Sequence, residues 1–154
     1  MALRNIVVQG DPVLNTVCRP VKEVDDHIRQ LLDDMADTMH HANGVGLAGP
    51  QVGVLRRVIV VQVDDEHLYK VVNPVITSQQ GDQYDEEGCL SVPGQQGWVH
   101  RPERIVVEGL GSEGEPFKLV AEGFLARAFC HEIDHLDGIL YVTKAENLHY
   151  TGEE

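Results

Sequence analysis

The pattern of apolar and polar positions predicts two helices with a series of strands between them. One helix lies near the N-terminus, where apolar side chains recur with the helical period at Ile28, Leu31, Leu32, Met35 and Met39. Asp25 or Asp26 can cap its start, and Asn43-Gly44 can end it because these residues tolerate positive φ. The second predicted helix runs from Gly123 to Asp137 and is terminated by Gly138.

Short apolar segments between the two helices predict the strands. Val58 to Val63 indicates a buried strand and Leu68 to Val72 its partner, with further candidates at Ile76-Thr77, Val99, Ile105 to Val107 and Phe117 to Val120. The glycine-rich segment 44–53 is instead expected to form a tight loop whose backbone lies close to another group. Because helices and strands do not alternate regularly, we predict an α+β fold with antiparallel β-sheets surrounding the second helix.

Length and composition are typical of one globular domain, and we expect residues 1–154 to form a single catalytic domain. No apolar run approaches the roughly 20 residues that a membrane span needs, and the N-terminus lacks the apolar segment of a secretory signal. We therefore expect a cytoplasmic protein with no membrane contact. The formal net charge of -13 argues against direct nucleic-acid binding, which needs clustered basic residues.

The second predicted helix carries the sequence His131-Glu132-Ile133-Asp134-His135, the H-E-x-x-H pattern. Residues four apart lie on one helix face, roughly 6 Å apart along the axis, so the two imidazoles can bind one metal ion. Glu132 can then act as general base on a metal-bound water. The pattern therefore indicates a metal-dependent amide hydrolase, although two His and one Glu can also fall on an exposed helix by chance.

A catalytic metal site usually needs a third protein ligand, and Cys89 is the favoured candidate. The third histidine ligand of a metzincin is absent, because Tyr141 stands at that position. A downstream glutamate is a weak candidate for the third ligand, because only Glu146, Glu153 and Glu154 follow the motif, close to the end of the chain. Cys89 lies next to Gly88 in a predicted turn, where a thiolate can be presented. Cys18 and Cys130 are expected to be small buried side chains, and an odd number of cysteines disfavours a disulfide framework.

Three segments together resemble the signature motifs of the peptide deformylase family. They are Gly44-Val45-Gly46-Leu47-Ala48-Gly49-Pro50-Gln51, Glu87-Gly88-Cys89-Leu90-Ser91 and His131-Glu132-Ile133-Asp134-His135, in that family's order and approximate spacing. The similarity also includes Gly10-Asp11-Pro12-Val13-Leu14 and extends to about Tyr141. Any one motif is modest evidence, but all three in order are highly specific.

The resemblance implies removal of the N-formyl group from the initiator methionine of nascent polypeptides, with release of formate. It implies that one divalent metal ion is bound by Cys89, His131 and His135, Fe²⁺ in the cell, although Zn²⁺ or Ni²⁺ can occupy the same ligands. Glu132 would be the general base and acid. Gln51 and the backbone N–H of Leu90 would hold the developing oxyanion, although Gln51 alone fits an ordinary loop amide equally well.

The expected substrate is an N-formylmethionyl nascent peptide. A peptide can add as a strand along exposed loop backbone, so Gly44, Val45, Gly46 and Gly88 are candidate substrate-binding residues. The methionine side chain needs an apolar pocket, which Val45, Leu90, Phe124 and Ala128 can supply, although these residues would serve equally as core.

The sequence departs from the family pattern at three places. Gly49 stands where many bacterial members have Ala, and Gln96 where many have an Arg thought to steady the substrate backbone. The C-terminal tail, residues 147–154, is short and acidic, which makes it a poor match for RNA phosphate. Transient ribosome contact is therefore the least supported of the expected interactions.

Two other hypotheses remain open from sequence alone. H-E-x-x-H is also the motif of zincin endopeptidases, and Gln96 with the short tail is compatible with a non-catalytic module descended from an enzyme. Asp134 likewise has two interpretations, as a hydrogen-bond partner of a ligand histidine or as a solvated helix-surface residue. Metal analysis and a formate assay would separate the three functions.

Overall fold

The computed structural model describes residues 2–151, which contain two α-helices and eight strands. The helices are Asp26–His41 (α1) and Gly123–Leu136 (α2). The strands are Gly46–Ala48 (β1), Val58–Val61 (β2), Tyr69–Gln80 (β3), Gln83–Cys89 (β4), Val92–Arg101 (β5), Arg104–Leu110 (β6), Pro116–Glu122 (β7) and Glu146–Tyr150 (β8). Short 3₁₀ helices occur at Pro12–Asn15, Gly49–Val52 and Tyr141–Thr143.

The strands form two antiparallel sheets, as predicted. One sheet has five strands in the order β1-β2-β3-β6-β7, and the other has three in the order β4-β5-β8. α2 packs against β1, β2, β6 and β7 of the first sheet and against β5 of the second. This position between the sheets places the helix that carries H-E-x-x-H at the centre, which confirms the predicted α+β fold.

α1 begins and ends close to where the sequence predicts. The Asp25 carboxylate accepts a hydrogen bond from the backbone N–H of Ile28, which identifies Asp25 as the N-cap. The helix ends at His41, and Asn43 follows with a φ of 59°. Its buried apolar residues pack on β1 and β2, so this face is sequestered as its periodicity indicates.

Two local predictions are wrong, and each fails because sheet pairing overrides local preference. Segment 46–48 is a strand, because it pairs with β2 in full register, while the 3₁₀ helix of Gly49–Val52 follows it directly. Ile76 does not begin a new strand; it lies within the 12-residue β3, which continues through two irregularities opposite β6.

The C-terminal segment also differs from the expected tail. Residues 147–150 belong to β8, which pairs with β5, whereas residues 152–154 of the expected acidic tail lie outside the described residues. Over residues 2–151, neither helix has the length and apolar character required to cross a membrane.

Candidate metal centre

The three predicted ligands come from two elements that meet at the centre of the molecule. Cys89 is the last residue of β4, directly before the two-residue turn Leu90-Ser91 that leads into β5. His131 and His135 lie one turn apart on the buried face of α2. The hairpin and the helix thus bring together residues more than 40 positions apart in the chain.

The ligand atoms converge on a common point. The Sγ of Cys89 lies 3.5 Å from Nε2 of His135, and the Nε2 atoms of the two histidines are 3.3 Å apart. All three candidate ligand atoms lie within 4.8 Å of one another. A Cys-His-His set with this spacing provides three of the four positions of a tetrahedral site and leaves one open, as catalytic sites require.

The donor set and its surroundings fit a divalent transition metal. Sulfur and imidazole nitrogen are ligands that zinc and iron both accept. The Glu87 carboxylate lies 2.9 Å from Nδ1 of His131, so the Nδ1–H group donates a hydrogen bond to Glu87. The other ring nitrogen, Nε2, then has a lone pair with which to bind a cation. The two ring nitrogens and the sulfur lie close together, and a shared cation would give all three electron-pair donors a common partner.

Glu132 is buried beside this cluster with one carboxylate oxygen unengaged. Its Oε1 has no hydrogen-bond partner in residues 2–151. Burial disfavours the ionised form and raises the pKa of Glu132 to about 7. The carboxylate packs on Gly46, where an added Cβ would lie 2.8 Å from Cδ of Glu132, so a side chain at position 46 would displace it. A carboxylate with this pKa can exchange protons near neutral pH.

The Gln51 side chain both caps backbone and faces the metal cluster. Its Oε1 accepts a hydrogen bond from the N–H of Ala48 at 3.0 Å. Its Nε2 donates to Oγ of Ser91 at 3.0 Å and lies 3.6 Å from Sγ of Cys89. The two interpretations of Gln51 from sequence are therefore compatible: the oxygen holds the loop, and the amide nitrogen points towards the ligands.

The N-terminal segment crosses the two loops that carry these residues. The N–H of Val7 donates to the carbonyl of Gln51 at 2.8 Å, and the N–H of Gln9 donates to the carbonyl of Ser91 at 2.7 Å. Both loops are thereby held in fixed relation to each other by backbone hydrogen bonds.

One cleft of about 600 Å³ opens onto the cluster. Its lining includes every predicted substrate-binding residue, Gly44, Val45, Gly46, Gly88, Phe124 and Ala128, together with Gln51, Cys89, Leu90, His131 and Glu132. His135 lies beneath this lining and is completely buried. Phe124 and Val45 are partly exposed, so they offer apolar surface that the core does not use.

Two of the three departures from the family pattern, Gly49 and Gln96, have different surroundings. At Gly49 an added Cβ would lie 2.6 Å from the carbonyl oxygen of Arg56 and 2.8 Å from that of Val54, so the packing of the following loop requires glycine here. Gln96 lines the cleft.

Comparison with known proteins shows the family to which the chain belongs. The family model described as polypeptide deformylase matches residues 3–150. The chain belongs to the polypeptide deformylase family. It is 55% identical over 144 residues to the peptide deformylase of Acetivibrio thermocellus, covering 94% of this chain and 84% of that one. It is 53% identical over 148 residues to that of Carboxydothermus hydrogenoformans, covering 96% and 97%.

Solved structures of deformylases share the fold. The enzyme from Ehrlichia chaffeensis in complex with actinonin superimposes with a TM-score of 0.92 at 39% identity, covering 96% of this chain and 91% of that one. The enzyme from Legionella pneumophila gives a TM-score of 0.91 at 42% identity, covering 95% and 88%. The family is metal-dependent, and the Cys-His-His cluster of this member is its candidate metal site.

A buried ionic cluster supports this deformylase site, and the sequence interpretation missed it. Glu87 receives hydrogen bonds from Arg101 (2.8 and 2.9 Å) and Arg127 (2.6 Å) as well as from His131. Burial opposes ionisation of Glu87, but these hydrogen bonds outweigh it and hold its pKa well below the usual range. The one feature of the sequence that could have indicated this cluster is Arg127, a basic residue four positions before His131 in an otherwise apolar helical segment.

Asp134 takes neither of its two predicted roles. Its carboxylate binds Nη1 of Arg101 at 2.7 Å and Nζ of Lys144 at 3.0 Å, so it is neither a direct partner of a histidine nor simply solvated. It balances the charge of Arg101, which in turn holds Glu87. The predictions for Cys18 and Cys130 are confirmed, since both are free and buried.

We expect Glu87→Gln to lower the free energy of unfolding by about 3–5 kcal/mol. The substitution keeps the side-chain shape but removes the negative charge that compensates two arginines, each of which is only 3% exposed. Urea unfolding of the purified variant measures the change.

Glu86→Gln is the matched control, because Glu86 is the adjacent residue and its side chain is 38% exposed. We expect it to change the free energy of unfolding by about 0.5 kcal/mol or less. Equal effects at the two positions would contradict a structural role for the buried ionic cluster.

Proposed function

We propose that this protein removes the N-formyl group from the initiator methionine of nascent polypeptides and releases formate. The observation that carries the proposal is the convergence, in one cleft, of a candidate Cys-His-His ligand set with a buried Glu132 carboxylate oxygen that has no hydrogen-bond partner among the described residues. Membership of the deformylase family supplies the reaction class. The carbonyl carbon of a formyl group bears a hydrogen atom where larger acyl groups bear a carbon atom. A narrow site can therefore accept the formyl group and exclude larger acyl groups.

In this proposal Cys89, His131 and His135 hold one divalent cation. A cation bound there would supply Lewis acidity, which activates water and polarises a carbonyl oxygen. We propose Fe²⁺ as the cation in the cell, with Zn²⁺ or Ni²⁺ able to occupy the same ligands; the mixed sulfur and nitrogen donor set is compatible with all three.

Glu132 would act as the proton carrier. Its carboxylate would take a proton from the attacking water and then deliver it to the departing amine. Burial raises the pKa of Glu132, which favours this exchange, and a bound cation would offset that rise. Gln51 would donate its amide N–H to the developing oxyanion, and the backbone N–H of Leu90 would be the second donor. Each such donor typically lowers the barrier by about 3–4 kcal/mol.

The remaining cleft residues would bind the peptide. Gly44, Val45, Gly46 and Gly88 offer backbone along the cleft for an extended substrate, and Phe124 and Ala128 offer apolar surface for the methionine side chain.

The substrate also suggests where the protein works. Nascent chains are made in the cytoplasm, and we propose that residues 1–154 form one catalytic domain that acts there, without membrane or direct nucleic-acid binding. Transient ribosome contact remains a prediction with little support, because the net charge of -13 disfavours RNA.

Formate release from formyl-Met-Ala-Ser by anaerobically prepared protein tests the function. We expect turnover that is lost on metal removal and restored by Fe²⁺ or Ni²⁺. The same peptide with an N-acetyl group is the control, and we expect no acetate release. Cleavage of internal bonds in casein without formate release would instead favour an endopeptidase, and bound metal with no formate release would favour a non-catalytic module.

A further inference from the structure

Ser91 is a completely buried residue that touches three parts of the candidate site. Its backbone N–H reaches Sγ of Cys89 at 3.4 Å, and its carbonyl accepts from the N–H of Gln9 at 2.7 Å. Its Oγ accepts a hydrogen bond from Nε2 of Gln51 at 3.0 Å. Only the last contact depends on the serine side chain, so a substitution can remove it and leave the other two in place.

This contact determines how the Gln51 amide is oriented. The amide oxygen is already held by the N–H of Ala48, and Gln51 is only 1% exposed, so water does not compete for its hydrogens. The amide nitrogen carries two hydrogens. Ser91 accepts one of them, and the nitrogen lies 3.6 Å from Sγ of Cys89, so the other hydrogen is directed towards that sulfur at the cleft. Without Oγ, the nitrogen would keep only the long contact to sulfur at 3.6 Å.

We propose that Ser91 is a positioning residue for deformylation: its Oγ fixes the Gln51 amide so that the second N–H meets the developing oxyanion. This inference rests on the proposed function. Ser91 is completely buried and does not line the cleft, whereas Gln51 does, so the Ser91 hydroxyl would act on a substrate only through Gln51. Its whole contribution to the rate should therefore pass through Gln51.

Ser91→Ala tests the inference because it removes one oxygen and no backbone contact. We expect kcat to fall about tenfold, as for loss of one buried hydrogen bond, with little change in KM and with one metal ion retained per chain. Ser78→Ala is the matched control, since Ser78 is exposed on β3 and does not line the cleft, and it should leave kcat unchanged.

A double-mutant cycle separates positioning from a merely structural role. We expect Gln51→Ala to lower kcat by about 10²–10³-fold, and Ser91→Ala to have no further effect in that background. If the two effects multiply, Ser91 acts by another route and the inference is wrong.

The amide hydrogens of Gln51 provide a readout that does not depend on activity. Their side-chain NMR signals, assigned by their loss in Gln51→Ala, should shift and exchange faster with solvent in Ser91→Ala than in Ser78→Ala. Unchanged signals would overturn the inference even if kcat falls. A wild-type protein that releases no formate would overturn the proposed function and this inference together, whereas an active wild type with multiplicative effects overturns the inference alone.

Discussion

Glu132→Gln is expected to lower kcat by about 10⁴-fold, the upper end of the range for loss of a general acid–base. Glutamine has nearly the same shape and can still pack on Gly46, but its amide cannot accept the proton of an attacking water. The metal ligands are untouched, so the variant should keep one metal ion per chain. Formate release and metal content, measured on the same sample, check both expectations.

Glu122→Gln is a suitable control, because Glu122 lies at the N-cap of the same helix and its side chain is 67% exposed. It should release formate at the wild-type rate. If Glu132→Gln stays within tenfold of wild type while Glu122→Gln is unaffected, Glu132 is not the base.

The pH profile gives a second check on the same residue. A general base must be deprotonated, so kcat/KM should fall as the pH drops through the pKa of Glu132. Burial places that pKa at about 7, and a bound divalent cation would lower it by stabilising the carboxylate. The acidic limb should therefore lie at or below about pH 7 in the wild type, and the residual activity of Glu132→Gln should lack it.

Local sequence patterns predicted the helices well because their signals lie within a few residues. The Asp25 cap, the apolar period of α1 and Gly138 after α2 need no information from the rest of the chain. β1 was missed for the opposite reason. Its glycine and alanine have low strand preference, and only pairing with the valines and isoleucine of β2 makes the segment a strand.

The candidate site shows the same division. Its candidate ligands and general base could be predicted because each belongs to a short motif with a chemical reason for its spacing. Arg101 could not be, since it lies 14 residues from Glu87 and 33 from Asp134, and only the fold reveals that it binds both. Ser91 stood inside a motif, but its contact with Gln51 spans 40 residues. Supporting residues are thus harder to predict than ligands.

Cys89→Ala is expected to abolish stoichiometric metal binding and, with it, formate release. Two imidazoles would remain, and loss of a direct ligand should cost more than the 10–100-fold in affinity that is typical for an outer hydrogen-bond partner. Metal analysis after extensive dialysis should find far less than one ion per chain in the variant and close to one in the wild type.

The other two cysteines supply the matched controls. Cys130 directly precedes the candidate ligand His131, but burial raises the pKa of its thiol to about 11, and burial likewise raises the pKa of Cys18. Both thiols therefore stay protonated at neutral pH, and a protonated thiol is a poor metal ligand. Cys130→Ala and Cys18→Ala should each retain one ion per chain. A Cys89→Ala variant that does the same would mean that the thiolate does not bind the metal, and the proposed Cys-His-His centre would be wrong.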